Sequence, residues 1–271
     1  MESIIDKFFY PQSLCIVGAS GKKGNLGYEL TSCVKNYGYT GKLFLVNPKT
    51  EEILGIKCYP SVPDIKDEID LAIVMVPKQF VQESIQQLLD KKVTSIILIT
   101  AGFKETGKEG AHREAELAGF INSHGGRLVG PNCMGIINTF DSIKLNATFV
   151  AERPETGTMA FLSQSGAIGA AVLNSLRETD IRFGHFISVG NKADMSENDF
   201  LGYWQNDKNI NVITLYLESF ACGKKFIQKF VEDKITKPVI ILKGGRTLGG
   251  MKAASSHTGA LGSSDKVVDS V

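Results

Sequence analysis

A single histidine set among small residues lies near the end of the chain. His257 stands in residues 252–262, KAASSHTGALG, where no bulky side chain is adjacent to it. An imidazole so placed can attack a phosphoryl or acyl group and hold it as a covalent intermediate. The segment therefore indicates a covalent relay through His257. The alternative interpretation is an unreactive histidine in a surface connection.

An acidic residue closes one of the apolar runs of the second half. Glu218 ends residues 211–218, NVITLYLE, at the carboxyl edge where open α/β sheets bind ligands. A carboxylate there can accept the second ring proton of a histidine, which fixes the tautomer and makes the other nitrogen a better nucleophile. Glu218 is therefore a candidate partner of His257, with a helix-capping or solvated acid as the alternative.

A glycine cluster, residues 18–27 with the sequence GASGKKGNLG, follows the first apolar run and opens a helix predicted to end at about Tyr37. Backbone amides at the start of such a helix bind phosphate groups. The cluster matches neither the dinucleotide pattern GxGxxG nor the Walker pattern, because Gly21 follows Gly18 after three residues and Lys23 follows Lys22. It predicts a phosphate-bearing ligand without identifying it.

Lys49 follows the second apolar run, where a dinucleotide-binding domain carries an acid for the ribose hydroxyls. A lysine there favours a ribose that carries a phosphate, as in NADP or coenzyme A. An ordinary exposed charge is the other interpretation. An NADP-dependent oxidoreductase fits the lysine, but the chain lacks GxGxxG and a dehydrogenase-like catalytic set in its second half.

A second glycine turn, residues 161–169 with the sequence FLSQSGAIG, runs from a strand into a helix predicted over residues 167–177. Ser165 is a good N-cap, and the small residues from Gly166 onward leave amides free to bind an anion. The turn superficially resembles the nucleophile elbow of hydrolases, but Ser163 stands where that motif requires glycine. Capping and phosphate binding are therefore favoured over a nucleophilic role for Ser165.

Continuous apolar runs predict strands buried on both faces, separated by stretches with helical periodicity. The runs are residues 13–18, 42–48, 70–77, 94–102 and 127–131 in the first half and 158–165, 184–190, 211–218 and 237–245 in the second. We therefore predict an α/β protein with two doubly wound parallel-sheet domains, residues 1–140 and 141–271. The junction falls in residues 138–157, which show no clear strand or helix period.

The composition argues against several classes of protein. A formal net charge of +1, with scattered lysines and arginines, argues against nucleic acid as a partner. Five cysteines without a CxxC pair argue against a structural zinc site and for a reducing compartment. The sequence shows neither a secretory signal nor a membrane span, so we expect a cytoplasmic protein. Because the cysteines form no zinc-binding pattern, we also expect no metal site in this chain.

Six segments in this order make the chain similar to the α-subunit of NDP-forming acyl-CoA ligases, the succinyl-CoA synthetase superfamily. They are residues 16–20 with the glycines that follow, 46–49, 130–137, 162–166, 188–194 and 255–261. The resemblance points to the branch of ADP-forming acetyl-CoA and acyl-CoA synthetases. It implies a Rossmann-like CoA-binding domain followed by a flavodoxin-like ligase domain.

The resemblance also implies roles for individual residues. His257 matches the histidine that becomes phosphorylated, and Glu218 matches the acid paired with it. Ser165 and Gly166 match the helix terminus that binds the phosphate. The positions that match the CoA pocket are Gly18, Ser20, Gly21, Lys22, Lys23, Lys49, Thr100 and Asn132.

An enzyme of this kind turns acyl-CoA and phosphate into acyl phosphate and free CoA, and its histidine passes the phosphoryl group to ADP. The family binds ADP or ATP with Mg²⁺ in an ATP-grasp domain, and no segment of this chain is similar to that domain. The resemblance thus implies an ATP-grasp β-subunit or fused domain as partner, and an oligomer.

Relatives continue beyond the position of Val271, so the second domain is expected to lack its C-terminal part. The alternative function is a non-catalytic CoA-binding or regulatory module of the protein-acetyltransferase type. The presence of both His257 and Glu218 argues against that alternative.

Overall fold

A computed structural model describes residues 4–245, and the first sheet in it has seven strands. The strands are β1 (Ser13–Val17), β2 (Lys42–Val46), β3 (Glu52–Ile53), β4 (Ile56–Tyr59), β5 (Leu71–Val74), β6 (Ser95–Leu98) and β7 (Arg127–Val129). Their order is β3-β4-β2-β1-β5-β6-β7, and the pairs are parallel apart from β3 with β4. Strands β1, β5 and β6 are buried along their whole length, as expected of central strands in a covered parallel sheet.

Helices precede and connect these strands. They are α1 (Asp6–Phe9), α2 (Leu26–Tyr37), α3 (Val81–Asp90) and α4 (Lys108–Ser123), with 3₁₀ turns at residues 62–64, 78–80 and 104–106. Asn25 caps α2, because its side chain accepts a hydrogen bond from the amide of Gly27. Gly38 ends that helix with a left-handed φ of 101°.

The second sheet mixes parallel and antiparallel strands. Its strands are β8 (Gly135–Asn138), β9 (Leu145–Thr148), β10 (Thr156–Ser163), β11 (Phe183–Ser188), β12 (Val212–Leu217) and β13 (Val239–Lys243), in the order β13-β12-β10-β11-β8-β9. Its helices are α5 (Gly166–Ser175), α6 (Glu197–Asn206) and α7 (Gly223–Glu232), with a 3₁₀ turn at residues 176–178. Strand β8 runs antiparallel to β11, and β9 runs antiparallel to β8.

The predicted α/β class with two mostly parallel sheets is confirmed. The second sheet departs from the predicted parallel arrangement at β8 and β9, which pair antiparallel. Residues 138–157, predicted to contain no strand, include β9. Polar residues hide this strand in the sequence, because Asn146 and Thr148 are buried within it. The Asn146 side chain donates to the carbonyls of Val150 and Glu152 at 3.2 and 3.0 Å. Burial of these polar groups is possible because the segment itself supplies their partners.

Helix α1 precedes the first sheet in the chain yet packs on the second. Phe9 is fully buried and stacks on His185 of β11, with ring centroids 4.1 Å apart. Tyr203 of α6 donates a hydrogen bond to Asp6 at 2.9 Å. The largest apolar cluster contains residues of both sheets, including Leu14 and Leu162. The two sheets therefore share a continuous core.

No described helix combines the length and the hydrophobicity that crossing a bilayer requires. All five cysteines are free thiols, of which Cys15, Cys58 and Cys133 are buried. Burial raises the pKa of Cys133 to about 12, so this thiol stays protonated and unreactive at neutral pH.

His185 is a buried ring in an aromatic setting. Its Nδ1 accepts a hydrogen bond from Trp204 Nε1 at 3.1 Å, and Phe140 contacts it edge-on. Burial disfavours the charged form and lowers the pKa of His185 to about 3. The folded protein therefore holds this ring neutral.

The neutral ring predicts a loss of stability in acid. The pKa of an unfolded histidine is about 6.5, so between about pH 6.5 and about pH 3 the unfolded state binds a proton that the folded state does not. This group should lower the free energy of unfolding by about 1.4 kcal/mol per pH unit through that range. His185→Gln, which keeps an acceptor for Trp204, should show a shallower decline in urea unfolding at a series of pH values. Equal slopes for both proteins would contradict the prediction.

Candidate functional site

The glycine turn after β1 lies against the ends of neighbouring elements. Gly18 has a φ of +97°, and a Cβ there would lie 2.9 Å from the backbone carbonyl of Met75. A Cβ on Gly27, in the first turn of α2, would lie 2.3 Å from the carbonyl oxygen of Gly18. Glycine is needed at both positions because a side chain would push the turn away from β5 and α2. The turn is thereby fixed at the carboxyl edge of the first sheet.

The remainder of this turn offers free hydrogen-bond donors. The amide of Lys22 donates to Ser20 Oγ at 3.2 Å, and the amide of Gly24 donates to Glu29 Oε1 at 2.9 Å. Among the described residues, the amides of Ser20 and Gly21 have no acceptor. Free amides that precede a helix suit the oxygens of a phosphate group. Ser20 and Gly21 therefore stand where a diphosphate fits.

Three exposed lysines lie on or beside this turn. Asn47, directly after β2, donates to the carbonyl of Ala19 at 2.7 Å and accepts from the amide of Lys49 at 2.8 Å. The lysine after β2 is thus tied through one side chain to the glycine turn. Lys22, Lys23 and Lys49 are all exposed. Cations beside free amides favour a ligand that carries more than one phosphate.

Thr100 and Asn132 lie at the same edge, where β6 and β7 end. Thr100 Oγ1 donates to the carbonyl of Val76 at 2.7 Å, and the amide of Asn132 donates to the carbonyl of Thr100 at 3.2 Å. The Val76 side chain also lies 3.1 Å from the point that a Cβ of Gly18 would occupy. The structure therefore brings Gly18, Thr100 and Asn132 to one end of the first sheet.

A second helix start lies at the carboxyl edge of the second sheet. Ser165 caps α5 by accepting a hydrogen bond from the amide of Ile168 at 3.3 Å. In the part of the chain that the structure describes, the amides of Gly166 and Ala167 have no acceptor. The capping bond engages the Ser165 hydroxyl, and the positive end of the helix dipole favours an anion at the two free amides.

The hydroxyl of Ser188 is a buried polar group beside this helix start. Ser188 ends β11 and is fully buried, and its Oγ has no hydrogen-bond partner within residues 4–245. That oxygen lies 3.9 Å from the point that a Cβ of Gly166 would occupy. A buried hydroxyl without a partner needs an explanation, and an oxyanion bound to the helix amides would supply one.

Glu218 follows β12 and is held through its backbone. Its amide donates to Gln164 Oε1 at 2.9 Å, and its carbonyl accepts from Lys243 Nζ at 2.8 Å. The Glu218 side chain is buried, and its Oε2 has no partner among the described residues. Such a carboxylate oxygen can accept a hydrogen bond from an imidazole. His257 lies outside the described residues, so its pairing with Glu218 stays a prediction.

The loop after β11 joins the two sheet edges. The amide of Asn191 donates to the carbonyl of Pro131 at 3.0 Å, and a Cβ on Gly190 would lie 2.3 Å from that oxygen. The Asn191 side chain donates to Glu105 Oε2 at 2.6 Å and to Glu114 Oε2 at 2.7 Å. One amide group of the second domain therefore bridges two acids of the first.

The pKa values of the two acids shift in opposite directions. Burial raises the pKa of Glu114 and outweighs the hydrogen bonds from Asn191 and the Lys104 amide. Burial acts in the same direction on Glu105, but there the hydrogen bonds from Asn191 and from the Gly102 amide prevail and lower its pKa. The bridge therefore joins a carboxyl of lowered pKa to a carboxyl of raised pKa.

Three polar residues at these turns emerge only from the structure: Gln164, Ser188 and Asn191. Each lies within a motif of the sequence, since Gln164 belongs to residues 162–166 and the other two belong to residues 188–194. Their signal in the sequence is a polar residue at the end of an apolar run. Their roles depend on contacts with distant residues.

Two family models match the chain. Residues 12–139 match the CoA binding domain, and residues 156–271 match the succinyl-CoA ligase like flavodoxin domain. The chain belongs to the succinyl-CoA synthetase superfamily. This confirms the resemblance stated from the sequence motifs.

Members of the superfamily resemble this chain over nearly its whole length. The acetate–CoA ligase [ADP-forming] II subunit alpha of Pyrococcus furiosus is 43% identical over 268 residues, covering 98% of this chain and 57% of the relative. The 4-hydroxybutyrate–CoA ligase [ADP-forming] of Nitrosopumilus maritimus is 39% identical and covers 96% of this chain and 38% of the relative.

A solved structure is also similar to this chain over nearly its whole length. The dinucleotide forming acetyl-coenzyme A synthetase 1 of Ca. Korarchaeum cryptofilum, in complex with phosphate and ADP, has a TM-score of 0.92 at 36% identity. The match covers 98% of this chain and 57% of that one. The chain thus spans little more than half the length of its α-subunit relative and of this structure.

Removal of the Ser188 hydroxyl tests the second anion site. Ser188→Ala should leave Tm nearly unchanged, because the hydroxyl has no partner in the described fold. It should weaken the thermal stabilisation that inorganic phosphate confers, with an affinity loss of about tenfold to a hundredfold for one hydrogen bond to an anion. Ser95→Ala is the control, since Ser95 Oγ in β6 is equally buried and without a partner. Equal phosphate responses in both variants would contradict the assignment.

A substitution that introduces a third carboxylate at position 191 tests the bridge that Asn191 forms between Glu105 and Glu114. Asn191→Asp places an acid against Glu105 and Glu114, and like-charge repulsion should lower Tm at neutral pH. The deficit should shrink on acidification, because protonation of the raised-pKa Glu114 relieves the repulsion. Asn191→Ala, which adds no charge, should show a deficit without this recovery. Thermal unfolding at several pH values measures the Tm deficit of both variants. If the two deficits changed with pH in the same way, the proposed bridge would be refuted.

Proposed function

We propose that this chain is the α-subunit part of an ADP-forming acyl-CoA synthetase of the acetyl-CoA type. Such an enzyme interconverts acyl-CoA, ADP and phosphate with the free acid, CoA and ATP. One observation carries the proposal. Two helix starts with free amides, one in each domain, lie at sheet edges that the loop around Asn191 joins. The unpartnered carboxylate oxygen of Glu218 lies at the second of these edges.

The first edge suits coenzyme A. The free amides of Ser20 and Gly21 would bind the diphosphate, and the exposed lysines beside them would bind the ribose phosphate. The proposed CoA pocket consists of Gly18, Ser20, Gly21, Lys22, Lys23, Lys49, Thr100 and Asn132. The matched CoA binding domain favours CoA over NADP as the ligand of this edge.

The second edge suits phosphate. The amides of Gly166 and Ala167 and the hydroxyl of Ser188 would bind it at the start of α5, which Ser165 caps. A phosphate oxygen there attacks the thioester carbonyl carbon, the C–S bond breaks, and CoA leaves as a thiolate that takes up a proton. The amides hold the anionic phosphate in place for this attack. The product of this step is acyl phosphate.

His257 then carries the phosphoryl group. One ring nitrogen attacks phosphorus, the P–O bond to the acyl group breaks, and the free acid leaves as its carboxylate. Glu218 would accept a hydrogen bond from the other ring nitrogen, which keeps the attacking nitrogen unprotonated and stabilises the charge on the ring. Transfer from phosphohistidine to ADP gives ATP, and ADP with Mg²⁺ belongs to an ATP-grasp β-subunit or fused domain.

Other features of the proposal follow from the relatives. Two of them are named for acetate and for 4-hydroxybutyrate, so a small carboxylic acid is the proposed substrate. Residues 1–140 and 141–271 remain the proposed functional domains, although β8 hydrogen-bonds into the second sheet. The proposed setting is the cytoplasm, in an oligomer with the ATP-grasp partner.

The test is labelling of the histidine. Incubation with acetyl-CoA, radiolabelled phosphate and the ATP-grasp partner should give an acid-labile, base-stable adduct at His257. His257→Ala should abolish the label, and His112→Ala, at an exposed position of α4, should retain it. Thermal stabilisation by CoA without any adduct would instead support the non-catalytic CoA-binding module. Equal labelling of His257→Ala would overturn the relay.

A further inference from the structure

A buried ion pair lies beside the loop that carries Glu218. Lys192 Nζ lies 3.0 Å from Glu197 Oε2, and the two side chains are 4% and 0% exposed. Lys192 belongs to the loop after β11, and Glu197 is the first residue of α6. Neither residue contacts a group to which the proposed reaction gives a chemical role.

Both members of the pair bind the loop that follows β12. Lys192 Nζ donates to the carbonyl of Ser219 at 2.5 Å. Glu197 Oε1 accepts from the amide of Ala221 at 2.6 Å. The pair therefore holds residues 219–221 at two backbone groups, directly after Glu218.

A third side chain holds the same loop from β10. Gln164 Oε1 accepts from the amides of Glu218 and Ser219 at 2.9 and 3.1 Å. The backbone around Glu218 is therefore fixed on both sides, while the Oε2 of its side chain has no partner in the described chain. A rigid backbone with an unpartnered carboxylate oxygen is the arrangement expected of a side chain that must meet another group in a set position.

Stability alone does not account for the pair. Removing two charges from water is costly, and apolar residues of similar size often serve a fold equally well. Burial lowers the pKa of Lys192, although the nearby Glu197 carboxylate opposes this. Lys192 also has a left-handed φ of 57°. This backbone conformation is unfavourable for residues other than glycine. Two unfavourable features next to one loop point to a functional constraint on that loop.

We propose that the Lys192–Glu197 ion pair positions Glu218 for phosphoryl transfer through His257. The proposal rests on the proposed function. The pair touches no reacting atom, since it acts through the backbone of residues 219–221. Loss of either charge lets this loop shift and moves the Glu218 carboxylate away from the imidazole.

Kinetics of His257 labelling, measured with the ATP-grasp partner present, test this role. Lys192→Met should slow labelling by as much as about a hundredfold, the loss expected when a mutation away from the reacting atoms misplaces a functional group by about 1 Å. The thermal shift produced by CoA should stay unchanged, because the CoA pocket lies on the other domain. Glu197→Gln keeps an oxygen for the Ala221 amide while it removes the charge, so it tests the pair if Lys192→Met does not fold.

A double variant separates positioning from general damage. If the pair acts through Glu218, adding Lys192→Met to Glu218→Gln should slow labelling no further than Glu218→Gln alone. Ile213→Val, buried in β12 near the opposite end from Glu218, is the control for lost stability and should label at the wild-type rate.

The labelling rates distinguish failure of the positioning role from failure of the role proposed for Glu218. Slow labelling by Glu218→Gln, together with wild-type rates for Lys192→Met and Glu197→Gln, would overturn the positioning role alone. Fully additive losses in the double variant would do the same. A wild-type rate for Glu218→Gln would overturn the proposed role of Glu218 and the positioning role with it.

Discussion

The close approach of two backbone segments at the domain junction sets the geometry of the site. Asn191 and Ala193 donate their amides to the carbonyls of Pro131 and Gly130, both at 3.0 Å. Gly190 permits this approach, because a Cβ there would overlap the Pro131 oxygen. The carboxyl edges of the two sheets therefore adjoin, so ligands of the two proposed sites would lie near each other. Separation of these segments would leave the two proposed anion sites unconnected.

Buried and half-buried polar groups surround that junction, and they make its arrangement specific. Asn191 bridges Glu105 and Glu114, while Lys192 pairs with Glu197. A buried polar group is costly unless its partners are in place, so each contact penalises alternative arrangements of the loops. The shared apolar core holds the sheets together, and the polar contacts decide where the loops of the site lie.

The sequence predicted the central strands and both glycine turns, because these depend on local properties. Continuous apolar runs gave β1, β5 and β6, although the run over residues 94–102 exceeds the observed Ser95–Leu98. Helix α5 begins at Gly166, one residue before its predicted start. The strand β9 was missed because its buried polar residues break the hydrophobic run, and they are satisfied only by contacts that folding creates.

The sequence by itself determined the family, because six motifs occur in the order that the family has. It also determined the glycine turns and the cap at Ser165, since a φ angle or a cap depends mainly on neighbouring residues. Tertiary structure decided which groups meet. Gln164 lies 54 residues from Glu218, and Asn191 lies 86 residues from Glu105. Such contacts follow from strand order and from the direction of each crossover, which bring the carboxyl ends of separate strands together. No local pattern records them, because their free energy arises only when the sheets are assembled.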